Sequence, residues 1–419
     1  MIELSSRPSS DDSMTYRYYP RMRHGRAIAV TLLALAATTM GCREKKAEES
    51  AGAPATGGGP TAAGDKVLVG HVGSMTGDNA TFGKSTDDGL RLAVGEQNKK
   101  GGVHSKQVVL QTLDDQGKPE EAAVAATRLI TQDKVSVLFG EVASSRSLAM
   151  APIADSNRVP MITPTSTNPR VTKDNGKTRP YVFRVCFIDP FQGTVMAKFA
   201  RDRLKLTRVA VLRDVGNDYS VGLAQFFANK FQELGGQVVT DQSYKAGDQD
   251  FKAQLTAIRA KSPEAIYVPG YYAEVALIAR QERELGMKQV LMGGDGWDSA
   301  KLYEVAKGAL DGSFFSNHYA PEDPSPAIQE FVAKYKATYG AVPDSMAVLG
   351  YDAAKVAFAA MERAKDLSPG AIRDEVEKTK NFQGVSGVIT IDEDHNAVKS
   401  AVVMGIEKNA PKYATTINP

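Results

Sequence analysis

From Lys66 onward the chain keeps one rhythm: a short apolar run, then a stretch with helical periodicity, then another apolar run. KVLVGHV leads into 81–99, QVVLQTL into 119–132, and VSVLFG into 145–157. After VPMITP and YVFRV the pattern resumes, with 191–204 before RVAVLR, 219–234 before QVVTDQSY, 251–261 before AIYVPG and 272–285 before QVLMGG. A strand buried on both faces reaches a parallel neighbour only through a crossover, and a helix supplies it. The alternation therefore predicts α/β architecture with parallel sheets. Local signals agree: Pro119 with Glu120 and Glu121 is a good helix start, and Gly235-Gly236 a good stop. So many strand–helix units exceed one small sheet, so two Rossmann-like lobes are expected. The rhythm breaks late, where 327–339 and 346–363 read as two helices in succession. The chain then closes on two strand candidates, VSGVITI and SAVVMGI, around the turn-like segment Asp392–Asn396.

What precedes Lys66 is of a different kind. Arg21, Arg23, His24 and Arg26 flank the apolar run Ala27–Met40, too short to span a bilayer but suited to the core of an export signal. Gly41-Cys42 follows at once and resembles the lipobox of bacterial lipoproteins, in which the Cys is acylated. Residues 43–64, charged and then rich in Gly, Ala and Pro, read as a flexible tether. The expected division is a signal peptide over 1–41, lipidated Cys42 with a tether to 64, one lobe over 65–186 and 316–391, and a second over 187–315 and 392–419. The location implied is periplasmic or otherwise extracytoplasmic, with a lipid anchor in a bacterial membrane.

Charge and cysteine content narrow the function. Loss of 1–41 removes Arg7, Arg17, Arg21, Arg23 and Arg26 together with Glu3, Asp11 and Asp12, leaving 46 charges of each sign. Nothing in that balance points to nucleic acid as a partner. With Cys42 acylated only Cys186 remains, within the apolar run YVFRVCF, where core packing is the expected role. No catalytic set is apparent. The five histidines are His24, His71, His104, His318 and His395, and no two sit at metal-ligand spacing. His71 and His318 lie on or beside strand runs and are not expected at the ligand. No Walker sequence or dinucleotide fingerprint occurs. No enzyme activity, cofactor or metal is therefore expected.

In open α/β sheets ligands bind where loops leave the carboxyl ends of strands. Those loops carry Ser144 and Ser145 after VSVLFG, Thr165–Thr167 after VPMITP, Tyr219 after RVAVLR, Tyr271 after AIYVPG, and Asp295 between glycines after QVLMGG. Hydroxyls, aromatics and one acid suit the grasp of a small zwitterion. A carboxylate fits a helix N-terminus with the hydroxyl of Ser144 and the N–H and O–H of Thr167. An ammonium fits the carbonyl of Thr165 and the carboxylate of Asp295. Each residue also has a plainer role: Ser144-Ser145 as a helix cap, Asp295 as a turn residue, the tyrosines as packing.

From Lys66 to about Ile406 the chain resembles the periplasmic leucine-isoleucine-valine binding proteins of ABC transporters. The residues that carry the likeness are VGSMTGDNATFG, DDQGKPEEA, VPMITPTSTNP, VLRDVGNDYSVGLAQFF and IYVPGYYAEVALIARQERELGMKQVLMGGDGW. The resemblance implies a type I periplasmic binding fold, two lobes joined by three crossover strands near 184–190, 314–319 and 391–396. It puts the ligand carboxylate at Ser144 and Thr167, and the ammonium at Thr165, Thr167 and Asp295. Tyr219 and Tyr271 would close over the ligand, with Phe82 and Trp297 around its side chain. Three features depart from the family pattern: Asp295 stands where Glu is usual, Phe82 stands where Tyr is usual, and the Cys pair that some members carry in the first lobe is absent, with Ala143 at one of its sites. The implied partners are an amino acid and the permease subunits of an ABC importer, the receptor being a monomer. The same fold could instead serve as a ligand-sensing module with a separate signalling partner.

Overall fold

The computed structural model describes residues 66–419. The signal, Cys42 and the tether lie outside the described residues. The chain's two main sheets differ in size and in strand direction. The first runs Gln107–Asp114, Lys66–Gly73, Val137–Phe139, Met161–Thr163, Val182–Arg184 in spatial order, all parallel. The second runs Gln237–Tyr244, Arg208–Asp214, Ala265–Tyr267, Val290–Gly293, Phe314–Asn317, and then Ala401–Glu407 and Ala410–Ile417. Its last two strands break the expected parallel pattern, because Ala401–Glu407 runs antiparallel to both neighbours. The final strand was not read from the sequence; PKYATTI lies at the sheet edge, where polar residues replace the apolar run.

The interior strands of both sheets are buried on both faces, as their unbroken apolar runs require. Helix starts follow the local chemistry. Pro119–Thr131 has Pro at its first position and Glu120 and Glu121 in its first turn. Asp218–Glu233 is capped by the Asn217 side chain, which accepts from Tyr219 N, and ends at Gly235, whose φ of +79° favours glycine. The two successive helices occur at Pro326–Tyr339 and Ser345–Arg363, and the second is almost wholly buried.

The chain passes between the sheets three times, after Val182–Arg184, after Phe314–Asn317 and after Ala397–Val398. The third passage lies beyond the expected 391–396. Gly387–Ile391 and Ala397–Val398 pair with one another around the turn at 392–396, and Ile389, Ile391 and Ala397 pack into the first lobe's core. The backbone of Arg184 adds an N–H bond to the carbonyl of His395. Likewise Phe314–Asn317 lies wholly in the second sheet, so that lobe's chain extends through 317. The loops leaving the carboxyl ends of both sheets meet in one cleft. Asn168 Nδ2 donates to Asp218 O at 2.8 Å, and Ser145 Oγ lies 2.9 Å from Asp218 Oδ2. Thr81 Oγ1 lies 3.0 Å from Ser299 Oγ. Among the described residues no helix is long and apolar enough to cross a membrane.

Candidate functional site

The first wall of the cleft is built by the loops after Val137–Phe139 and Met161–Thr163. Ala143 is extended and precedes the helix Ser144–Asn157, so Ser144 is the first helical residue rather than the cap. Its Oγ accepts from Asn168 N at 3.2 Å, tying the two loops together. Thr165 Oγ1 donates to Val142 O at 3.3 Å. Behind Ser144 a buried ionic cluster fixes the loop. Glu141 accepts from Ser74 N at 3.2 Å and from Ala143 N at 2.5 Å, and lies 2.9 Å from Arg146 Nε. Asp115 accepts from Ser74 Oγ at 2.8 Å, and burial pushes its carboxyl up to about 7; the Glu141 charge adds to the rise and Arg146 opposes it.

The second wall centres on Asp295, at the end of the strand Val290–Gly293. Its Oδ1 accepts from Gln192 Nε2 at 2.7 Å and from Tyr219 O–H at 2.9 Å, and its Oδ2 lies 2.9 Å from His318 Nε2. Tyr219 O–H also accepts from Gly296 N at 3.2 Å. The flanking glycines are required by this packing. A Cβ on Gly294 would stand 2.3 Å from the Tyr219 hydroxyl, and one on Gly296 would stand 2.8 Å from Gly270 O. His318 is fully buried against the Phe187 ring at 3.8 Å, and burial lowers its pKa although Asp295 opposes this. A neutral imidazole there donates Nε2–H to Asp295. Burial likewise holds Tyr219 protonated, as a donor.

Aromatic rings close the cleft. Tyr219 stacks on Tyr271 at 5.4 Å, and Phe82 meets Tyr271 edge-on at 5.6 Å across the lobes. Phe82, Ser144, Thr165, Tyr219, Tyr271 and Asp295 line a common narrow space, with Val142, Gly296 and Met346. Six of the eight expected ligand residues thus converge from six separate strand ends. The other two do not line this space. Trp297 is fully buried in the second lobe's core, its Nε1–H donating to Val268 O at 3.0 Å. The Thr167 hydroxyl faces Asp189 without making a well-formed hydrogen bond to it. Burial pushes the Asp189 carboxyl up to about 8, so it is largely protonated at neutral pH.

Gln192 and His318 were not among the residues expected at the site. Gln192 lies on the first turn of Asp189–Lys198, with no local pattern to mark it. His318 follows the buried strand Phe314–Asn317 at a passage between lobes, and that position was the available signal.

A family model described as periplasmic binding protein matches residues 66–411. A Leu/Ile/Val-binding protein homolog from Brucella melitensis is 30% identical over 81% of this chain and 90% of its own length. A leucine-, isoleucine-, valine-, threonine-, and alanine-binding protein from Pseudomonas aeruginosa is 28% identical over 79% of this chain and 87% of its own. Among solved structures, the leucine binding protein LivK from Thermotoga maritima superposes with a TM-score of 0.80 at 46% identity, covering 84% of this chain and 99% of that one. The branched-chain amino acid transporter substrate binding protein LivJ from Streptococcus pneumoniae, in complex with isoleucine, superposes with a TM-score of 0.80 at 32% identity, covering 84% and 100%.

Proposed function

The chain belongs to the periplasmic binding protein family, and on that premise we propose that it captures an α-amino acid between its lobes and delivers it to the membrane subunits of an ABC importer. One observation carries the reading. Asp295 is a buried carboxylate whose partners, Gln192, Tyr219 and neutral His318, are all uncharged donors. A buried charge without a counter-ion is costly, and the ammonium of an amino acid supplies one. Opposite it stands the start of the helix Ser144–Asn157, whose free N–H groups and dipole suit the carboxylate. Ser144 adds a hydroxyl at that end. The side chain lies against Phe82, Val142, Tyr271 and Met346, which fits branched-chain ligands of the kind named for the relatives.

Capture proceeds by hinge closure about the three passages, with both ends of the ligand gripped from opposite lobes. Export and acylation at Cys42 complete the reading and place the receptor on the outer side of a membrane. Calorimetric titration with leucine tests the site. Asp295→Ala should weaken binding by about 2–5 kcal/mol while the protein stays folded. Unchanged affinity would reject Asp295 as the ammonium partner. Palmitate labelling of the native chain, compared with Cys42→Ser, tests the anchor; equal labelling would reject it.

A further inference from the structure

Tyr271 lines the amino-acid space and also a second, larger chamber between the lobes. Asp78, Asn79, Gln116 and Gly117 come from the first lobe, and Asp214, Tyr244 and Glu274 from the second. We infer that this chamber is a subsite for a cationic side-chain terminus, so that the ligands include amino acids whose chains run past Tyr271 and end in an ammonium or guanidinium. The inference rests on the amino-acid reading of the neighbouring site.

Charge comes first. Three carboxylates, Asp78, Asp214 and Glu274, line the chamber, and no Lys, Arg or His does. Arg146 stands behind the wall, its Nη1 donating to Asn79 Oδ1 and Gly117 O at 3.3 Å each, but its charge is held by Glu141 at 2.9 Å and Asp115 at 3.8 Å. Tyr244 gives an independent sign. It is 3% exposed, and its hydroxyl has no hydrogen-bond partner. That hydroxyl reaches the chamber because residue 270 is glycine; a Cβ there would stand 2.2 Å from it. An unpaired buried hydroxyl costs free energy that a ligand N–H donor can recover. Glu274 accepts from Gly247 N at 2.9 Å through Oε1, which holds its carboxylate at the chamber wall. Burial raises the carboxyls of both Glu274 and Asp214, and a cation nearby would offset that.

The carboxylates are spread around the walls rather than gathered at one point. No cluster of three acidic, His or Cys groups among the described residues could hold a metal ion. An extended organic cation, which shares its hydrogen bonds among several walls, fits that spacing better.

Lysine and norleucine differ only by the terminal ammonium, so their ratio reads the chamber directly. With the purified full chain, calorimetry against leucine, norleucine and lysine should show lysine binding about 10-fold or more tighter than norleucine. Asp78→Asn with Glu274→Gln should erase the ratio and leave norleucine affinity unchanged. Asp78→Asn alone, at an exposed residue, should reduce it in part. Leucine binding with no preference for lysine over norleucine would overturn the inference and leave the proposed function standing. A lysine preference that survives the double substitution would overturn the assignment to this chamber. Failure of all three amino acids to bind would overturn the functional reading itself, and this inference with it.

Discussion

The two walls of the cleft each carry a buried carboxylate, but the two are neutralised in opposite ways. On the first wall Glu141 sits against the Arg146 guanidinium, and with Ser74 and Asp115 they form an internally paired cluster. On the second wall Asp295 meets only neutral donors. A paired acid holds a loop in place; an acid held by neutral donors remains available to a cation. The first wall therefore acts as a scaffold presenting backbone N–H groups and hydroxyls, and the second supplies the full charge.

The sharpest way to break this comparison is to exchange stability for affinity on each side. Arg146→Met strands two buried acids and should cost about 3–5 kcal/mol of unfolding free energy in denaturant titration. Asp295→Asn, which removes a charge with no cationic partner, should change stability by less than about 1 kcal/mol. Equal losses in the two variants would show that the walls do not differ in kind.

Tyr219→Phe probes the second wall more gently. It removes one hydrogen bond to a charged group, worth about 1.5–3 kcal/mol, and should weaken amino-acid binding by roughly 10- to 150-fold. An affinity within twofold of the native value would mean that Gln192 and His318 alone hold Asp295 in place.

Acid should affect the second wall through His318. Asp295, Asp298 and Lys399 face its imidazole, and burial keeps its folded pKa below the ordinary value of 6.5. The unfolded chain then takes up a proton that the native state resists, so stability falls as pH drops below about 6.5. Protonated His318 would also compete with the ligand ammonium for Asp295, so affinity should fall in the same direction. His318→Gln should flatten the affinity profile between pH 5 and 7; a profile as steep as the native one would assign the effect to another group.

The smallest expected effect concerns the contacts that join the walls. Ser145→Ala removes the hydroxyl that lies 2.9 Å from Asp218 Oδ2 and accepts from Asp218 N at 2.9 Å. The loss of about 0.5–1.5 kcal/mol should shift ligand-free protein toward open lobes, read as a larger radius of gyration in solution scattering. An unchanged radius would show that other contacts hold the lobes together.

Read alone, the sequence established the strand–helix alternation, the two-lobed α/β architecture and the loops that meet in the cleft. Buried strands and amphipathic helices leave periodic marks along the chain, and a loop after a strand is a local fact. Ser144, Thr165, Tyr219, Tyr271 and Asp295 could therefore be picked out by position, and a family resemblance added Phe82. Tertiary structure alone decided which side chains of those loops face the cleft. Trp297, two residues from Asp295, turns into the core because Val268 O accepts from its indole N–H, and Thr167 turns toward Asp189. Gln192 and His318 reach Asp295 from 103 and 23 residues away. Where a side chain points depends on what packs against it from distant segments, and no local pattern carries that information.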